Sequence, residues 1–86
     1  MAFFVYILKS ETTGGIYIGH TSDLERRLKE HNNPLAGKRR YTRKHKGPWH
    51  LIHFEEKKSR SEAMKRERFL KSGQGREWIH KEVIPQ

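Results

Sequence analysis

The sequence contains no cysteine, which excludes a disulfide framework, a thiolate nucleophile and a zinc site built on thiolates. Its six histidines also lack the paired close spacings of a structural zinc site. The chain is 86 residues long and only 33% apolar, which leaves room for one modest core. These limits predict a single domain over residues 1–86.

Long hydrophobic runs are missing as well. The apolar run FFVYIL near the amino terminus is too short to span a bilayer. It also lacks the basic lead and the small-residue cleavage pattern of a signal peptide. We therefore expect a cytoplasmic protein that has no membrane partner.

Negative charge is scarce in comparison with positive charge. Nineteen Lys and Arg residues stand against ten Asp and Glu, which gives a formal net charge of +9. A basic surface kept for solubility rarely needs such an imbalance in so short a chain. A field of this sign attracts polyanions, of which nucleic acid is the commonest in cells, so we expect a nucleic-acid partner.

Two apolar segments near the amino terminus predict a β-hairpin. FFVYIL and IYI are rich in β-branched and aromatic residues, and the polar, glycine-ended segment KSETTGG separates them. If the loop leaves an even register, Tyr6 and Tyr17 point from the same face, because side chains alternate along a strand. PWHLIHFEE predicts a third strand, with Trp49, Leu51 and His53 on one face.

Two capping boxes mark the main helices. Glu25 lies three residues after Ser22, and Glu62 lies three residues after Ser59. Gly73 suits a left-handed residue that ends the second helix. The basic segment LAGKRRYTRKHKG between them could hold a short helix, and GREWIHKEVI predicts a closing helix. The order is therefore β-β-α-(α)-β-α-α, an α/β or α+β domain with a largely antiparallel sheet.

The first helix carries two polar side chains beside its apolar face. On a helical wheel Arg27 and His31 flank Leu24 and Leu28, whereas Arg26 lies on the polar side. A charged group at the edge of a core costs free energy unless a partner compensates it. One interpretation is an arginine whose head reaches water, beside a core-edge histidine. The other is a phosphate site, which suits the planar guanidinium.

The second long helix places Glu67 within its apolar stripe, close to Ala63 and Leu70. Such a glutamate needs a cation. That cation could be Lys71 one turn later, an arginine across the core, or a metal ion such as Mg²⁺, which takes carboxylate, water and phosphate oxygens. The strand tyrosines leave a similar choice between core residues and groups that orient or deprotonate an attacking water.

In this combination the residues resemble the GIY-YIG nuclease superfamily, and most closely its small stand-alone members of the UPF0213, YhbQ-like type. The resemblance extends from residue 3 to about residue 79. The first motif stands here as VYI and the second as YIG, which the literal GIY at residues 15–17 only overlaps. The arginine and histidine stand in DLERRLKEH and the glutamate in AMKRERFLK. The residues that match the family's catalytic residues are Tyr6, Tyr17, Arg27, His31 and Glu67.

The resemblance implies a three-stranded antiparallel sheet flanked by helices and a divalent-metal-dependent endonuclease. One Mg²⁺ or Mn²⁺ ion would bind Glu67, and Arg27 would stabilise charge on the phosphoryl oxygens. A tyrosine would activate the attacking water, with Tyr6 the first choice and His31 or Tyr17 assisting. The expected partner is DNA, with RNA left open, and the expected role is in DNA repair or recombination.

Sequence specificity is expected to be low, because basic side chains that grip phosphates do not read bases. The residues expected to bind nucleic acid are Lys38, Arg39, Arg40, Tyr41, Arg43, Lys44, Lys46 and Arg76. Two other interpretations stay open: a nucleic-acid-binding module on the same fold with little or no cleavage, and a nuclease subunit that depends on a protein partner. The sequence leaves the oligomeric state undetermined.

Overall fold

Strand β1 (Phe3–Ser10) is apolar on both faces, and it forms the centre of a three-stranded antiparallel sheet in the order β2-β1-β3. A computed structural model describes residues 2–32 and 48–84. The remaining elements are β2 (Ile16–Thr21), β3 (Trp49–Lys57), α1 (Leu24–Asn32), α2 (Arg60–Lys71) and α3 (Gly73–Trp78), which continues as a π-helical turn over Ile79–Val83.

The predicted α+β fold with a three-stranded antiparallel sheet is confirmed. The bracketed short helix and the basic run around it fall on residues 33–47, outside the described residues. None of the described helices is long and apolar enough to cross a membrane.

Each face of the sheet has its own core because side chains alternate along β1. One core lies under α2 and α3, and the other lies under α1. Each fully buried Val, Leu or Ile side chain stabilises the fold by about 1.5–3 kcal/mol. The buried residues of the first core are Val5, Ile7, Ile18, Ala63, Leu70 and Ile79. Those of the second are Tyr6, Leu8 and Trp49, with Leu24 and Leu28 of α1 packed against them.

The predicted alternation along β3 is wrong beyond Leu51. Leu8 of β1 pairs with Leu51 but Ile7 pairs with His53, so Ile52 is an extra residue at a β-bulge. The bulge moves His53 away from the face of Trp49 and Leu51 to the opposite face of the sheet, where its ring lies 5.5 Å from that of Trp78. A one-residue shift of this kind follows from pairing with β1 and leaves no trace in the local pattern.

The first predicted helix cap is also displaced by one residue. The Asp23 side chain, rather than that of Ser22, accepts a hydrogen bond from the Arg26 backbone N–H at 3.0 Å, and α1 begins at Leu24. The Thr21 hydroxyl accepts from the Asp23 N–H at 3.1 Å and fixes the turn into the helix. The cap at the start of α2 is confirmed, since Ser59 Oγ accepts from the Glu62 N–H at 3.2 Å.

The predicted left-handed stop at Gly73 is wrong as well. Gly73 is the first residue of α3, and Ser72 ends α2 and caps α3 by accepting from the Gly75 N–H at 3.1 Å. Within the described part of the chain, Gly14 is the only glycine with positive φ. A glycine is needed instead at residue 75, where a Cβ would collide with the backbone of Phe69 and Leu70.

A cluster of ion pairs ties β3 to α2 on the outer side of the first core. The Arg66 guanidinium donates to both carboxylate oxygens of Glu55, at 2.9 and 3.1 Å, and His53 and Lys57 contact the same carboxylate at 2.9 and 3.3 Å. Burial alone would raise the pKa of Glu55, but the hydrogen bonds and charges of these neighbours lower that pKa to about 2.

The cluster predicts a pH dependence of stability. A carboxylate whose pKa is lower in the folded than in the unfolded chain stabilises the fold above the unfolded value, and the contribution is lost as the pH falls. The free-energy difference between the wild type and Glu55→Gln should therefore be on the order of 1–3 kcal/mol at pH 7 and shrink between about pH 4.5 and pH 2. Urea unfolding at several pH values measures it. The exposed neighbour Glu56 provides the control variant Glu56→Gln, and an equal, pH-independent loss in both variants would contradict the assignment.

Candidate active site

A cavity of about 400 Å³ lies beside β2, the strand at one edge of the sheet. Four of the five residues that sequence analysis singled out for catalysis line it: Tyr6, Tyr17, Arg27 and Glu67. They come from β1, β2, α1 and α2, so the cavity exists only in the folded chain.

The strand register explains how residues of both sheet faces reach this one cavity. Tyr6 lies opposite Gly19 and Tyr17 lies opposite Leu8, so the two tyrosines share the face covered by α1. Their ring centroids are 6.2 Å apart, and the same-face placement expected for an even register is confirmed. His20 lies opposite Val5 and therefore points to the other face, towards α2. Residues from both faces of the edge strand thus border the cavity.

Gly19 is the reason that the Tyr6 hydroxyl can approach the cavity. A Cβ at this position would lie 2.7 Å from Tyr6 Oη, closer than real Cβ atoms approach other atoms, and a tight 3.1 Å from Tyr17 Cε2. The absence of a side chain therefore leaves room for both phenol rings against the edge strand. This close approach gives the glycine of the YIG motif a physical role.

His31, the fifth predicted residue, lies behind Tyr6 rather than in the cavity lining. It is buried, its Nε2 is 3.0 Å from the Tyr6 hydroxyl, and its ring centroid is 4.7 Å from that of Tyr17. Burial lowers the pKa of His31 more than the charge of Glu30 raises it, so the imidazole is neutral at pH 7. Its Nδ1 makes no hydrogen bond with any described residue. In the tautomer protonated at Nδ1, the Tyr6 hydroxyl donates to Nε2.

Arg27 brings a largely buried side chain to the cavity. Its side chain is 17% exposed, and its Nε hydrogen-bonds to none of the described residues. The carboxylate of Glu30 lies 3.5 Å from that nitrogen and offers a partial charge partner. Arg26 is 61% exposed, as the helical wheel predicts, yet it also borders the cavity, which the wheel did not indicate.

The carboxylate of Glu67 has two cationic or polar partners. Its Oε1 lies 2.5 Å from His20 Nδ1, and its Oε2 accepts from Lys71 Nζ at 2.7 Å. Burial would raise the pKa of Glu67, but the two hydrogen bonds outweigh it and lower the pKa, so the group is a carboxylate at neutral pH. The pairing with Lys71 is one of the alternatives left open by the sequence. The contribution of His20 was not predicted, because no local pattern in the sequence links it to Glu67.

The carboxylate of Glu67 fits a hard divalent cation whose other oxygen ligands would come from water and a substrate phosphate. No group of three or more His, Cys, Asp or Glu side chains gathers within residues 2–32 and 48–84. Mg²⁺ nevertheless binds through one or two carboxylates, with water and substrate phosphates supplying the other oxygens. A carboxylate offers about four lone-pair positions, of which His20 and Lys71 use two. Glu67 is the one acidic residue among the described residues that line the cavity.

None of the predicted nucleic-acid-binding residues lines this cavity among the described residues. Arg76 lies elsewhere, and the others fall outside the described residues. Arg76 borders a separate, smaller cavity of about 220 Å³, together with apolar residues of β2 and the π-helical turn. The remaining residues, Lys38, Arg39, Arg40, Tyr41, Arg43, Lys44 and Lys46, lie in the undescribed segment 33–47. Arg60 was not predicted from the sequence. It lines the main cavity, and its guanidinium lies 5.3 Å from the centre of the Phe3 ring.

Known proteins are similar to this chain in both sequence and fold. Residues 2–79 match the GIY-YIG catalytic domain. A UPF0213 protein of Clostridium perfringens is 43% identical over 68 residues, which is 79% of this chain and 69% of that protein. Another from Haloquadratum walsbyi is 43% identical over 69 residues, 80% of this chain and 73% of that protein. The solution NMR structure of a UPF0213 protein from Bacillus halodurans aligns with a TM-score of 0.56 and 33% identity, covering 99% of this chain and 89% of that one.

Proposed function

The chain belongs to the GIY-YIG family, a nuclease superfamily, and on that premise we propose that it is a divalent-metal-dependent endonuclease that hydrolyses DNA phosphodiester bonds with little sequence specificity. The observation that carries the proposal is the shared cavity of Tyr6, Tyr17, Arg27 and Glu67. A protein that only binds nucleic acid has no use for a carboxylate in a basic cavity, because the carboxylate repels the polyanion. Glu67 therefore favours the enzyme over the binding module.

The reaction that we assign to the chain's own residues begins with a proton transfer. Tyr6 accepts a proton from the attacking water while its own hydroxyl proton passes to Nε2 of neutral His31, 3.0 Å away. The water oxygen bonds to phosphorus and the bond from phosphorus to the 3′ oxygen breaks. The departing 3′ oxygen takes a proton from solvent water, which leaves a 5′-phosphate and a 3′-hydroxyl. Arg27 stabilises the charge that builds on the phosphoryl oxygens. Glu67 would hold one Mg²⁺ or Mn²⁺ ion, which supplies positive charge at the scissile phosphate when bound.

Substrate binding is proposed to use cations on the walls of this same cavity. Arg26 projects from α1 and Arg60 from the first residue of α2. A cation in the first turn of a helix is disfavoured by the helix dipole, so the position of Arg60 is explained better by an anionic ligand than by helix stability. Contacts of this kind hold phosphates without reading bases.

Removal of the Arg60 cation is expected to weaken DNA binding by the same factor for every DNA sequence. Arg60→Ala should raise the dissociation constant about three- to tenfold. It should also make the negative slope of the logarithm of the association constant against the logarithm of the salt concentration shallower by about 1. Fluorescence anisotropy over a NaCl series in EDTA measures both quantities without cleavage. Arg68→Ala, an exposed arginine of the same helix outside the cavity lining, is the matched control. Equal effects of the two variants would show that only net charge matters.

The proposal as a whole is tested by cleavage of labelled single-stranded, duplex and branched DNA, and of the same sequences as RNA, with Mg²⁺, Mn²⁺ or EDTA. We expect cleavage with either metal, none with EDTA, and a loss in Arg27→Ala while folding and DNA binding persist. Cleavage that survives EDTA or the substitution contradicts the proposal and points to a contaminant. Tight binding without cleavage of any substrate would favour the binding module or a subunit that needs a protein partner.

A further inference from the structure

His20 lies outside the five residues that match the family's catalytic set, yet it makes a short contact with one of them. Its Nδ1 is 2.5 Å from Glu67 Oε1, and the contact joins β2 to α2. Both side chains are about one-fifth exposed, at 23% and 19%. The register opposite Val5 directs the ring to the α2 face, so the backbone of the sheet fixes where the nitrogen stands.

The second partner of Glu67 is held much less firmly. Lys71 reaches the carboxylate from one turn along the same helix, its side chain is 51% exposed, and its stem has four rotatable carbons. Its ammonium can therefore leave Oε2 when another cation or a phosphate arrives. The imidazole of His20 is short, has two torsions and stands on a strand, so it stays with Oε1.

We propose that His20 is a positioning residue whose Nδ1–H holds Oε1 of Glu67, so that Oε2 is presented to a divalent cation in the cavity. The proposal rests on the proposed function, because it takes Glu67 as the group that binds the metal. Hydrogen bonds to ligating groups orient them, and losing such a partner commonly weakens metal affinity about 10- to 100-fold. A neutral or a protonated imidazole can serve, since both forms can carry a proton on Nδ1.

The hydrogen bond itself is tested without metal. ¹⁵N NMR of the histidine rings should show a proton on Nδ1 of His20, the nitrogen that faces Glu67 Oε1. That proton signal should move upfield in Glu67→Gln, because a neutral amide oxygen is a weaker acceptor than a carboxylate. A His20 ring protonated only at Nε2 would overturn the proposal.

Metal affinity is tested by titrating Mn²⁺ into ¹⁵N-labelled protein and following the broadening of amide signals around Glu67, with Glu67→Gln as the background. His20→Leu and His20→Asn have nearly the same size, but only the asparagine can donate a hydrogen bond. We expect His20→Leu to raise the apparent dissociation constant about tenfold or more and His20→Asn to stay within about threefold of the wild type. His50→Asn, from the exposed pair of His50 and Glu11, is the matched control and should change nothing.

The outcomes separate this proposal from the proposed function. If wild-type broadening around Glu67 is saturable and absent in Glu67→Gln, but His20→Leu binds Mn²⁺ like the wild type, the positioning role is wrong and the metal site stands. If the wild type shows no such broadening, both fail. Thermal melts of the two His20 variants test for a purely structural role. Such a role would lower both melting temperatures equally and would leave the two variants with the same metal affinity.

Discussion

Glu67→Gln is expected to abolish DNA cleavage while leaving DNA binding intact or slightly tighter. The substitution keeps the shape of the side chain but removes the charge that would hold the divalent cation. We expect the single-turnover rate to fall at least about 10³-fold, equivalent to about 4 kcal/mol of transition-state stabilisation. Binding should not weaken, because the variant also removes a negative charge that faces the polyanion. Quenched-flow cleavage and anisotropy with the same duplex measure the two effects.

The matched control for this prediction lies on the same helix. Glu62→Gln makes the same chemical change at an exposed residue in the first turn of α2, outside the cavity lining. We expect it to cleave at the wild-type rate. Cleavage by Glu67→Gln within a few-fold of the wild type, or an equal loss in both variants, would remove Glu67 from the mechanism.

The positions of three candidate site residues could be predicted from the sequence because each is a polar side chain at an otherwise apolar helix face. Arg27 and His31 interrupt the apolar face of α1, and Glu67 interrupts that of α2. A helical wheel needs only the 3.6-residue period to find them. The same-face placement of Tyr6 and Tyr17 likewise needs only strand alternation and an even hairpin register.

What the sequence could not supply are the contacts between elements. The β-bulge at Ile52 depends on how β3 pairs with β1, and it reverses the predicted face of His53. The contact between His20 and Glu67 joins residues 47 positions apart, and no local period links them. Arg60 belongs to a capping segment in the sequence, and only the packing of α2 against the sheet brings it to the cavity.

Tyr6→Phe is expected to cause the second largest loss of activity. If Tyr6 takes the proton from water and passes its own to His31, the single-turnover rate should fall about 10²- to 10⁴-fold with little change in DNA affinity. The variant also leaves His31 Nε2 without the Tyr6 hydroxyl in a buried site, at a cost of about 1–3 kcal/mol of stability. Melting curves therefore accompany the rates, which are measured well below the melting temperature.

A double-mutant cycle separates a proton relay from two independent contributions. If Tyr6 and His31 act as a unit, Tyr6→Phe combined with His31→Gln should be no slower than the slower single variant. If the residues contribute independently, the two losses should multiply. Tyr17→Phe keeps the ring that packs 4.7 Å from His31 and tests the other tyrosine of the cavity. A loss in Tyr17→Phe that exceeds the loss in Tyr6→Phe would transfer the role of general base to Tyr17, because both phenols share the face of the sheet that meets the scissile phosphate in this mechanism.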